Sequence, residues 1–327
     1  MVREGIALVD RDEDGVDRAF RADVLAGLAQ PQKAVPARWF YDEQGSELFE
    51  QITDLPEYYP TRAETEILDE RGEELSALIG QGRAVVEFGS GSSTKTPLLL
   101  QAIAPAAYVP LDISGDFLRA SAADLACKFP GLPVHPLEAD FMKPVELPQA
   151  VAGVPKLGFF PGSTIGNMVA RTAIDLLRSM RQTLGSDAML LIGMDLIKDV
   201  AVLEAAYDDA QGVTAEFNFN LIHRINRELG GTVPLEAFRH EARWNDIHAR
   251  IEMHLVAREP VSFTVSDQRF TMDAGESIHT ENSHKFDLRS SFLLLLAGGW
   301  TPRQRWTDRA GRFSLILAEA STPRTAP

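Results

Sequence analysis

The sequence has 327 residues, a formal net charge of −15, and proportions of 45% hydrophobic and 24% charged residues that are ordinary for a globular protein. Its length suffices for more than one domain, because a single hydrophobic core stops growing near about 250–300 residues. The negative charge would repel phosphate backbones, which argues against a nucleic-acid partner. The sequence lacks both an apolar run of roughly 20 residues and a signal-peptide pattern, so we expect a cytoplasmic protein without a membrane span.

The first predicted element with a clear boundary is a helix that follows Pro60. Thr61 and Glu64 have the S/T-x-x-E spacing of a capping box, in which the two side chains satisfy backbone N–H groups of the first helical turn. We therefore expect this helix to begin at Thr61 and the Glu64 carboxylate to be used in its cap.

Short apolar runs alternate with helical segments from about residue 83 onward. Strands are predicted at 84–88, 108–112, 133–140, 156–162 and 188–195. An amphipathic helix is predicted over residues 117–129, with Cys127 as a small buried hydrophobe in its apolar stripe. Apolar runs separated by helices indicate parallel strands that are buried on both faces of a sheet.

The alternation ends after Asp195. A long helical stretch over residues 198–227 leads into β-rich segments between residues 239 and 286, and a helix follows at 288–297. Two last strands, TPRQRWT and RFSLILAEA, are expected to return to the sheet as an antiparallel pair.

This order of elements predicts an α/β fold, with a Rossmann-like sheet and an α+β domain inserted between its fifth and sixth strands. One predicted domain comprises residues 61–195 plus 287–321. The other comprises residues 1–60 plus 196–286.

The segment VVEFGSGSSTKT places glycines directly after a predicted strand, where backbone N–H groups can approach a ligand. A dinucleotide-binding fingerprint fits Gly89 and Gly91 but requires a third glycine at Thr94. A Walker phosphate-binding pattern fits Gly89 and Lys95, with Asp195 as an acid for magnesium. This pattern also fails at Thr94, where the loop requires a glycine.

A third pattern, E-x-G-x-G, fits residues 87–91 without exception and is typical of enzymes that use S-adenosylmethionine. In this interpretation Glu87 orients the amino acid end of the cofactor. Asp112, at the end of the second strand, would accept hydrogen bonds from the ribose hydroxyls, and Asp140, at the end of the third, would meet the adenine. Three acids at the C-terminal ends of successive strands line the crevice where open α/β sheets bind ligands. We therefore predict an S-adenosylmethionine site at this edge.

The seven histidines form no recognisable metal-binding pattern. Neither His248 with His254 nor His279 with His284 has the i, i+4 spacing that places two ligands on one helix face. The single cysteine offers no pair of thiolates. The sequence therefore predicts no bound metal.

Four long stretches resemble one known family: KAVPARWFYDEQGSELFEQITDLPEYYPTR, VVEFGSGSSTKT, FFPGSTIGN and DLIKDVAVLEAAYDDAQGVTAEFN. With RIEMHLVA and TENSHKF, they are similar to the histidine Nα-methyltransferases of ergothioneine biosynthesis, which trimethylate the α-amine of histidine to give hercynine. The resemblance covers residues 17–319. It implies a class I methyltransferase sheet in the first predicted domain, which would bind S-adenosylmethionine, and an amino acid site in the second.

The motif and the resemblance together imply a cofactor site at the glycine turn and the strand ends, formed by Glu87, Gly89, Ser90, Gly91, Lys95, Asp112, Asp140 and Phe141.

The resemblance also implies the residues of an amino acid site. Asn167 and Tyr207 would bind the substrate carboxylate, whereas Glu281 and Ser283 would hold its imidazole. Other walls of the pocket would be formed by Phe49, Thr164 and Met253. The catalytic part would comprise Tyr41, Tyr58 and Gly162, with Tyr58 also contacting the substrate. Alternation along the strand should point His254 away from the pocket that Met253 lines.

Three alternatives remain open at this point. A methyltransferase on the same scaffold could act on another amino acid or amine, because related enzymes share much of the sequence pattern. A phosphate-binding NTPase or kinase is more distant, and a noncatalytic amino acid sensor would bind its ligand without turnover. The sequence does not indicate an oligomeric state.

Overall fold

A computed structural model of the protein describes residues 15–91, 95–113 and 115–321. These residues form two compact units. The antiparallel unit consists of the described residues up to Tyr59 together with Lys198–His284. The Rossmann-like unit consists of Pro60–Ile197 together with the described residues from Lys285 onward. The binding roles expected for the two parts, and the domain bounds predicted from the sequence, stay predictions.

The antiparallel unit combines helices with a four-stranded sheet of order β1-β11-β8-β7 and a separate hairpin, β9-β10. Its helices are α1 (Arg18–Leu28), α2 (Glu43–Asp54), α8 (Val200–Ala205) and α9 (Val213–Leu229). Its strands are β1 (Lys33–Ala34), β7 (Phe238–Asn245), β8 (Arg250–Ala257), β9 (Val261–Val265), β10 (Gln268–Met272) and β11 (Ser277–His284). Strand β1 runs parallel to β11, whereas β11, β8 and β7 are antiparallel neighbours.

The side chains of strand β8 alternate between an apolar face and a polar face of this sheet. Ile251, Met253 and Leu255 are buried and belong to one hydrophobic core that also contains Phe217 and Leu221 of α9. The alternate residues Arg250, Glu252 and His254 therefore lie on the opposite face, because side chains alternate along a strand. This agrees with the expectation that His254 points away from the side that Met253 faces.

The Rossmann-like unit contains a seven-stranded sheet of order β12-β13-β6-β5-β2-β3-β4. Its strands are β2 (Ala84–Phe88), β3 (Ala107–Asp112), β4 (Leu137–Glu138), β5 (Lys156–Phe160), β6 (Met189–Asp195), β12 (Trp300–Thr307) and β13 (Phe313–Ala320). The helices assigned to it are α3 (Tyr59–Glu70), α4 (Gly72–Ile79), α5 (Thr96–Ile103), α6 (Gly115–Lys128), α7 (Ala170–Leu184) and α10 (Leu288–Ala297).

The seven-stranded sheet has the composition that burial on both faces requires. All five residues of β2 are buried, and its alternating side chains contribute to two hydrophobic cores, Val86 to one and Val85 to the other. Strands β2, β3, β4, β5 and β6 pair in parallel, while β13 pairs antiparallel with both β6 and β12. The predicted Rossmann-like α/β sheet and its final antiparallel pair are confirmed.

Several local predictions are wrong. The strand predicted over 133–140 is reduced to Leu137–Glu138. The helical stretch over 198–227 is two helices, and α9 begins only after Gly212, which adopts φ 79°. The β-rich segments expected at 261–267 and 273–286 leave out residues 268–272, which form strand β10.

Cys127 is exposed and not a buried core residue. The buried stripe of α6 includes Leu118, Ala122 and Leu125, spaced by four and three residues. Cys127 follows Leu125 by two positions, which turns it roughly 200° around the helix axis and toward solvent. Among the described residues, every helix is too short or too polar to cross a lipid bilayer.

Candidate active site

The glycine turn after β2 lies beside the end of β3. Gly89 and Gly91 adopt φ values of 70° and 48°, in the left-handed region that glycine tolerates without steric cost. The N–H groups of Gly89 and Ser90 both donate to the Leu111 carbonyl, at 2.9 and 3.1 Å. The Gly91 N–H donates to Asp112 Oδ2 at 3.1 Å. Parallel pairing of β2 with β3 thus brings the turn and the predicted ribose-binding acid together.

Glu87 is fully buried beneath this turn. Its carboxylate accepts hydrogen bonds from the Thr96 hydroxyl, at 2.8 and 3.0 Å, and from the Tyr108 hydroxyl. Burial raises the pKa of Glu87 to about 7, although both hydroxyl donors act in the opposite direction. Glu87 therefore connects β2 to β3 and to the start of α5, the helix that follows the glycine turn.

Asp140 and Phe141 follow β4, next to β3. The Ala139 N–H donates to the Asp112 carbonyl at 3.0 Å, and Asp140 Oδ1 accepts from the Met142 N–H at 3.0 Å. The ring of Phe141 has edge contacts with Phe88 and Phe160, with centroids 6.0 and 6.2 Å apart.

Gly89 leaves space beside the Phe141 ring because it has no side chain. A Cβ atom at Gly89 would lie 3.6 Å from that ring, so any larger side chain would enter this space. A glycine turn, an aspartate at the end of the next strand and an aromatic edge fit a nucleoside with an amino acid tail. The residues present are therefore suited to S-adenosylmethionine.

Glu64 is a residue of this site that the sequence analysis assigned to another role. Helix α3 begins at Tyr59, so the capping box predicted at Thr61 is wrong. Glu64 is completely buried, and its Oε2 accepts from Lys95 Nζ at 2.5 Å and from the Gly162 N–H at 2.8 Å. The same carboxylate thus anchors the lysine of the glycine segment and the turn after β5.

The strand β6 is shaped to accommodate Glu64. A Cβ atom at Gly193 would lie 2.3 Å from Glu64 Oε1, a distance that real Cβ atoms essentially never show. Gly193 therefore makes the room that the carboxylate occupies. The isolated glycine in the buried run LLIGMD was the available sequence signal, because such a glycine often marks the close approach of another group.

The turn after β5 contains three predicted site residues, Gly162, Thr164 and Asn167. Gly162 adopts φ 78°, and Thr164 and Asn167 begin and end a short 3₁₀ helix. A Cβ atom at Gly162 would lie 3.7 Å from Lys95 Nζ and 3.6 Å from Thr164 Oγ1. The Rossmann-like unit therefore brings Gly162, Thr164 and Lys95 to one place.

Asp195, the acid that the Walker interpretation would require for magnesium, has a different partner. Its Oδ2 lies 2.7 Å from Lys285 Nζ, and both side chains are buried. Its backbone N–H donates to the Ser163 hydroxyl at 2.9 Å. This ion pair balances the charge of Asp195 within the core at the end of β6.

The antiparallel unit collects the predicted aromatic residues into one cluster. Tyr41 contacts Phe49 with ring centroids 5.7 Å apart, Phe49 contacts Tyr58 at 6.2 Å, and Tyr58 contacts Tyr207 at 6.3 Å, all edge-on. Phe217 of α9, which the sequence analysis did not single out, contacts both Tyr41 and Phe49. The helical spacing of apolar residues could have identified Phe217, since it lies four residues before Leu221 on the apolar face of α9.

Asp42 connects helices α2 and α9, which carry Phe49 and Phe217 of this cluster. Its side chain caps α2 by accepting from the Gly45 N–H at 2.8 Å, and it also accepts from Asn220 and Arg227 of α9. Burial opposes ionisation of Asp42, but the hydrogen bonds outweigh it and lower its pKa. Helices α2, with Phe49, and α9 are therefore held together by a charged hydrogen-bond network.

Polar groups adjoin the aromatic cluster along β11. The Tyr207 hydroxyl and Ser283 Oγ are 2.7 Å apart and buried. Glu281 pairs across the sheet with Met253, and Ser283 pairs with Ile251. Because Met253 and Ile251 face the core, Glu281 and Ser283 lie on that same apolar face. The register shift between His279 and Glu281 makes this alignment possible.

The predicted residues thus fall into two groups. The Rossmann-like unit contains Glu87, Gly89, Ser90, Gly91, Lys95, Asp112, Asp140, Phe141, Gly162, Thr164 and Asn167. The antiparallel unit contains Tyr41, Phe49, Tyr58, Tyr207, Met253, Glu281 and Ser283. Gly162, Thr164 and Asn167, which the resemblance assigned to the amino acid site and its catalytic part, thus belong to the Rossmann-like unit.

Comparison with known proteins connects this arrangement to a family. A family model described as histidine-specific methyltransferase, SAM-dependent, matches residues 20–320. Two similar relatives are histidine N-alpha-methyltransferases. The one from Mycolicibacterium smegmatis is 41% identical over 93% of this chain and 96% of its own length, and the one from Mycobacterium tuberculosis is 42% identical over 94% and 96%.

Among solved structures, an S-adenosylmethionine-dependent methyltransferase from Clostridium acetobutylicum aligns with a TM-score of 0.49 and 10% identity, covering 84% of this chain and 99% of its own. The family assignment itself depends on the sequence matches, which extend over nearly the whole chain. The chain belongs to the SAM-dependent, histidine-specific methyltransferase family.

Proposed function

We propose that this protein transfers three methyl groups from S-adenosylmethionine to the α-amine of L-histidine, giving hercynine for ergothioneine biosynthesis. The observation that carries the proposal is the set of Glu281, Ser283 and Tyr207 beside an aromatic cluster, in a chain whose close relatives are named histidine N-alpha-methyltransferases. The substrate is a small molecule, and we propose a cytoplasmic location.

In this proposal the Rossmann-like unit holds the cofactor. When bound, S-adenosylmethionine supplies a methyl group on a positively charged sulfur. Gly89, Ser90 and Gly91 leave room for its amino acid end, Lys95 contributes a cation there, and Asp112 accepts hydrogen bonds from the ribose hydroxyls. Asp140 and Phe141 bind the adenine. The position of Asp112 beside the Gly91 N–H supports this assignment.

The antiparallel unit would recognise the imidazole through Glu281 and Ser283. A buried carboxylate accepts an imidazole N–H, and the Ser283 hydroxyl, already paired with Tyr207, can donate or accept. An apolar side chain of similar size would leave these groups unpaired. Such a mismatch costs roughly 1–3 kcal/mol for each neutral group, and more for a charged one. Tyr207 and Asn167 would bind the substrate carboxylate.

The aromatic residues suit a product that carries a fixed positive charge. A trimethylammonium group cannot donate hydrogen bonds, whereas the faces of Tyr41, Tyr58 and Phe49 attract a desolvated cation by roughly 1–2 kcal/mol. The α-amine of a free amino acid is more basic than that of a peptide, whose pKa is about 8, so the site must accept a proton from the bound ammonium before the first transfer. We propose a tyrosine or a bridging water as the proton acceptor, and the main contribution of the chain is alignment in a water-poor site.

Mass spectrometry after incubation with S-adenosylmethionine and a panel of the common amino acids tests the proposal. We expect gains of one, two and three methyl groups on histidine and none on the other amino acids. Methylation of a different amino acid would contradict the proposed substrate while leaving the family intact. Binding of histidine without any methyl gain, at saturating cofactor, would instead indicate a sensor.

A further inference from the structure

The polar face of β8 carries a second cluster of chemically active side chains. Glu252 and His254 lie two residues apart on one strand, and His279 is the direct cross-strand partner of His254 on β11. One potential ligand atom from each of the three lies within 4.8 Å of the others. The two imidazole rings are stacked, with centroids 4.7 Å apart and planes 16° apart.

This arrangement places three ligands where a metal site can form on an antiparallel sheet. Residues i and i+2 of one strand share a face, and the facing residue of the neighbouring strand completes a triangle of ligands. Two imidazoles and one carboxylate are a donor set that suits Zn²⁺ and similar divalent transition metals.

One oxygen of the Glu252 carboxylate is held by hydrogen bonds, and the other lies next to His254. Glu252 Oε1 accepts from Arg250 Nε at 2.8 Å and from Asn245 Nδ2 at 2.8 Å, while Oε2 lies 3.2 Å from His254 Nε2. Outer hydrogen bonds of this kind orient a ligand and are typical of metal sites. Because Arg250 also balances the charge of Glu252, we expect micromolar and not nanomolar affinity for a dication.

Both imidazoles have an outer partner on the nitrogen that would not bind the metal. His279 Nε2 lies 2.9 Å from the Glu281 carbonyl, which only accepts, so that nitrogen carries the proton and Nδ1 has a lone pair. His254 Nδ1 lies 3.0 Å from the Ser277 hydroxyl, which can accept its proton and leave Nε2 for the metal. The tautomers that metal binding needs are therefore compatible with the existing contacts.

A potential fourth ligand lies beside the three. Asn282 is the cross-strand partner of Glu252 and adjoins the His279 imidazole. Its Oδ1 is buried, and none of the residues that the structure describes lies at hydrogen-bonding geometry from it. Ligand atoms around zinc lie about 3.4 Å apart, given bonds of about 2.1 Å. The partly exposed His279 ring would therefore turn out of its stack on His254 to close the site.

We propose that Glu252, His254 and His279 form a site for a divalent transition metal of the zinc type. The bound ion would cross-link β8 and β11 on the face opposite Glu281 and Ser283, next to the register shift that aligns these two residues. The proposal does not depend on methyl transfer, since it concerns the other face of the sheet.

Calorimetric titration of untagged, chelator-treated protein with ZnCl₂ tests this site in the absence of cofactor and amino acid. We expect one ion per chain with micromolar affinity, a rise in Tm with zinc, and a visible d–d absorption band with CoCl₂. His279→Phe preserves a ring stacked on His254 but removes both nitrogens. It should weaken binding at least about 30-fold, since loss of an outer-shell partner alone costs 10–100-fold.

His223→Ala is the matched control, because His223 is exposed on α9 and should not affect binding. Glu252→Gln tests a second ligand and decides the matter if His279→Phe does not fold; it too should bind zinc at least about 10-fold more weakly. The proposal is overturned if the wild type takes up no zinc at millimolar concentration. It is equally overturned if folded His279→Phe, or Glu252→Gln, binds as tightly as the wild type.

Discussion

The contact of Glu64 with Lys95 and Gly162 yields a prediction with a definite magnitude. Glu64→Gln removes the negative charge from an ion pair in which the Glu64 side chain is 0% exposed and the Lys95 side chain is 14% exposed. At 2.5 Å and an effective dielectric constant of 20, the gross attraction is about 7 kcal/mol, most of it offset by desolvation of the two ions. Removal of one partner from a buried pair costs roughly 3–5 kcal/mol.

Two features of the structure decide where in that range the loss should fall. The limited exposure of Lys95 lets its ammonium recover some hydration, which favours the lower end. The amide nitrogen of the introduced glutamine would take the place of Glu64 Oε1, an atom that has no hydrogen-bond partner among the described residues. The amide therefore gains no new contact that compensates for the lost ion pair. We therefore expect Glu64→Gln to lower the free energy of unfolding by about 3 kcal/mol.

Urea unfolding of the wild type, Glu64→Gln, Lys95→Met and the double variant measures the coupling. The double variant should lose at least about 1.5 kcal/mol less than the sum of the single losses, because each single change leaves one charge unpaired. Asp175→Asn is the control, since its partner Arg178 forms an exposed pair on α7 and the change should cost less than about 0.5 kcal/mol. Losses at Glu64 and Lys95 that add within about 0.5 kcal/mol would refute the buried pair as the cause.

Three further predictions concern binding and pH. Glu281→Ala should weaken histidine binding at least about 10-fold and leave S-adenosylhomocysteine binding nearly unchanged, because only the imidazole uses the carboxylate; calorimetry with both ligands checks it, and equal loss of both would contradict the assignment. Asp112→Ala should show the reverse pattern in the same experiment, and retained S-adenosylhomocysteine affinity would remove Asp112 from the cofactor site. Glu87, whose pKa burial raises from 4.5 to about 7, binds its proton more tightly in the folded state, so its contribution is favourable at low pH and is lost as pH rises through that window. In the wild type, the free energy of unfolding should fall between about pH 4.5 and 7, and in Glu87→Gln this fall should be smaller by on the order of 3 kcal/mol. Urea titrations across this pH range measure both curves, and parallel curves would exclude this role of Glu87.

Much of the Rossmann-like unit could be predicted from local sequence patterns. The apolar runs that predicted β2, β3, β6 and β13 are local signals, since a strand buried on both faces must be apolar along its length. The E-x-G-x-G turn is equally local, because a glycine at φ 70° or 48° is required by the backbone of a few residues. The family resemblance extended this to named residues in both units.

Contacts between side chains that are distant in sequence depend on how the whole chain packs. Glu64 fits a helix cap by spacing, yet the fold places it against Lys95 and Gly162, 31 and 98 positions further along the chain. The exposure of Cys127 is a different case, because the period of about 3.6 residues in α6 already places it away from Leu118, Ala122 and Leu125.

His254 and His279 have no meaningful spacing in sequence, and only the pairing of β8 with β11 makes them neighbours. Hydrophobic periodicity and turn chemistry are properties of adjacent residues, and the sequence displays them directly. The register between strands, and hence the partner of each buried charge, is set by the packing of the whole unit and has no local signature.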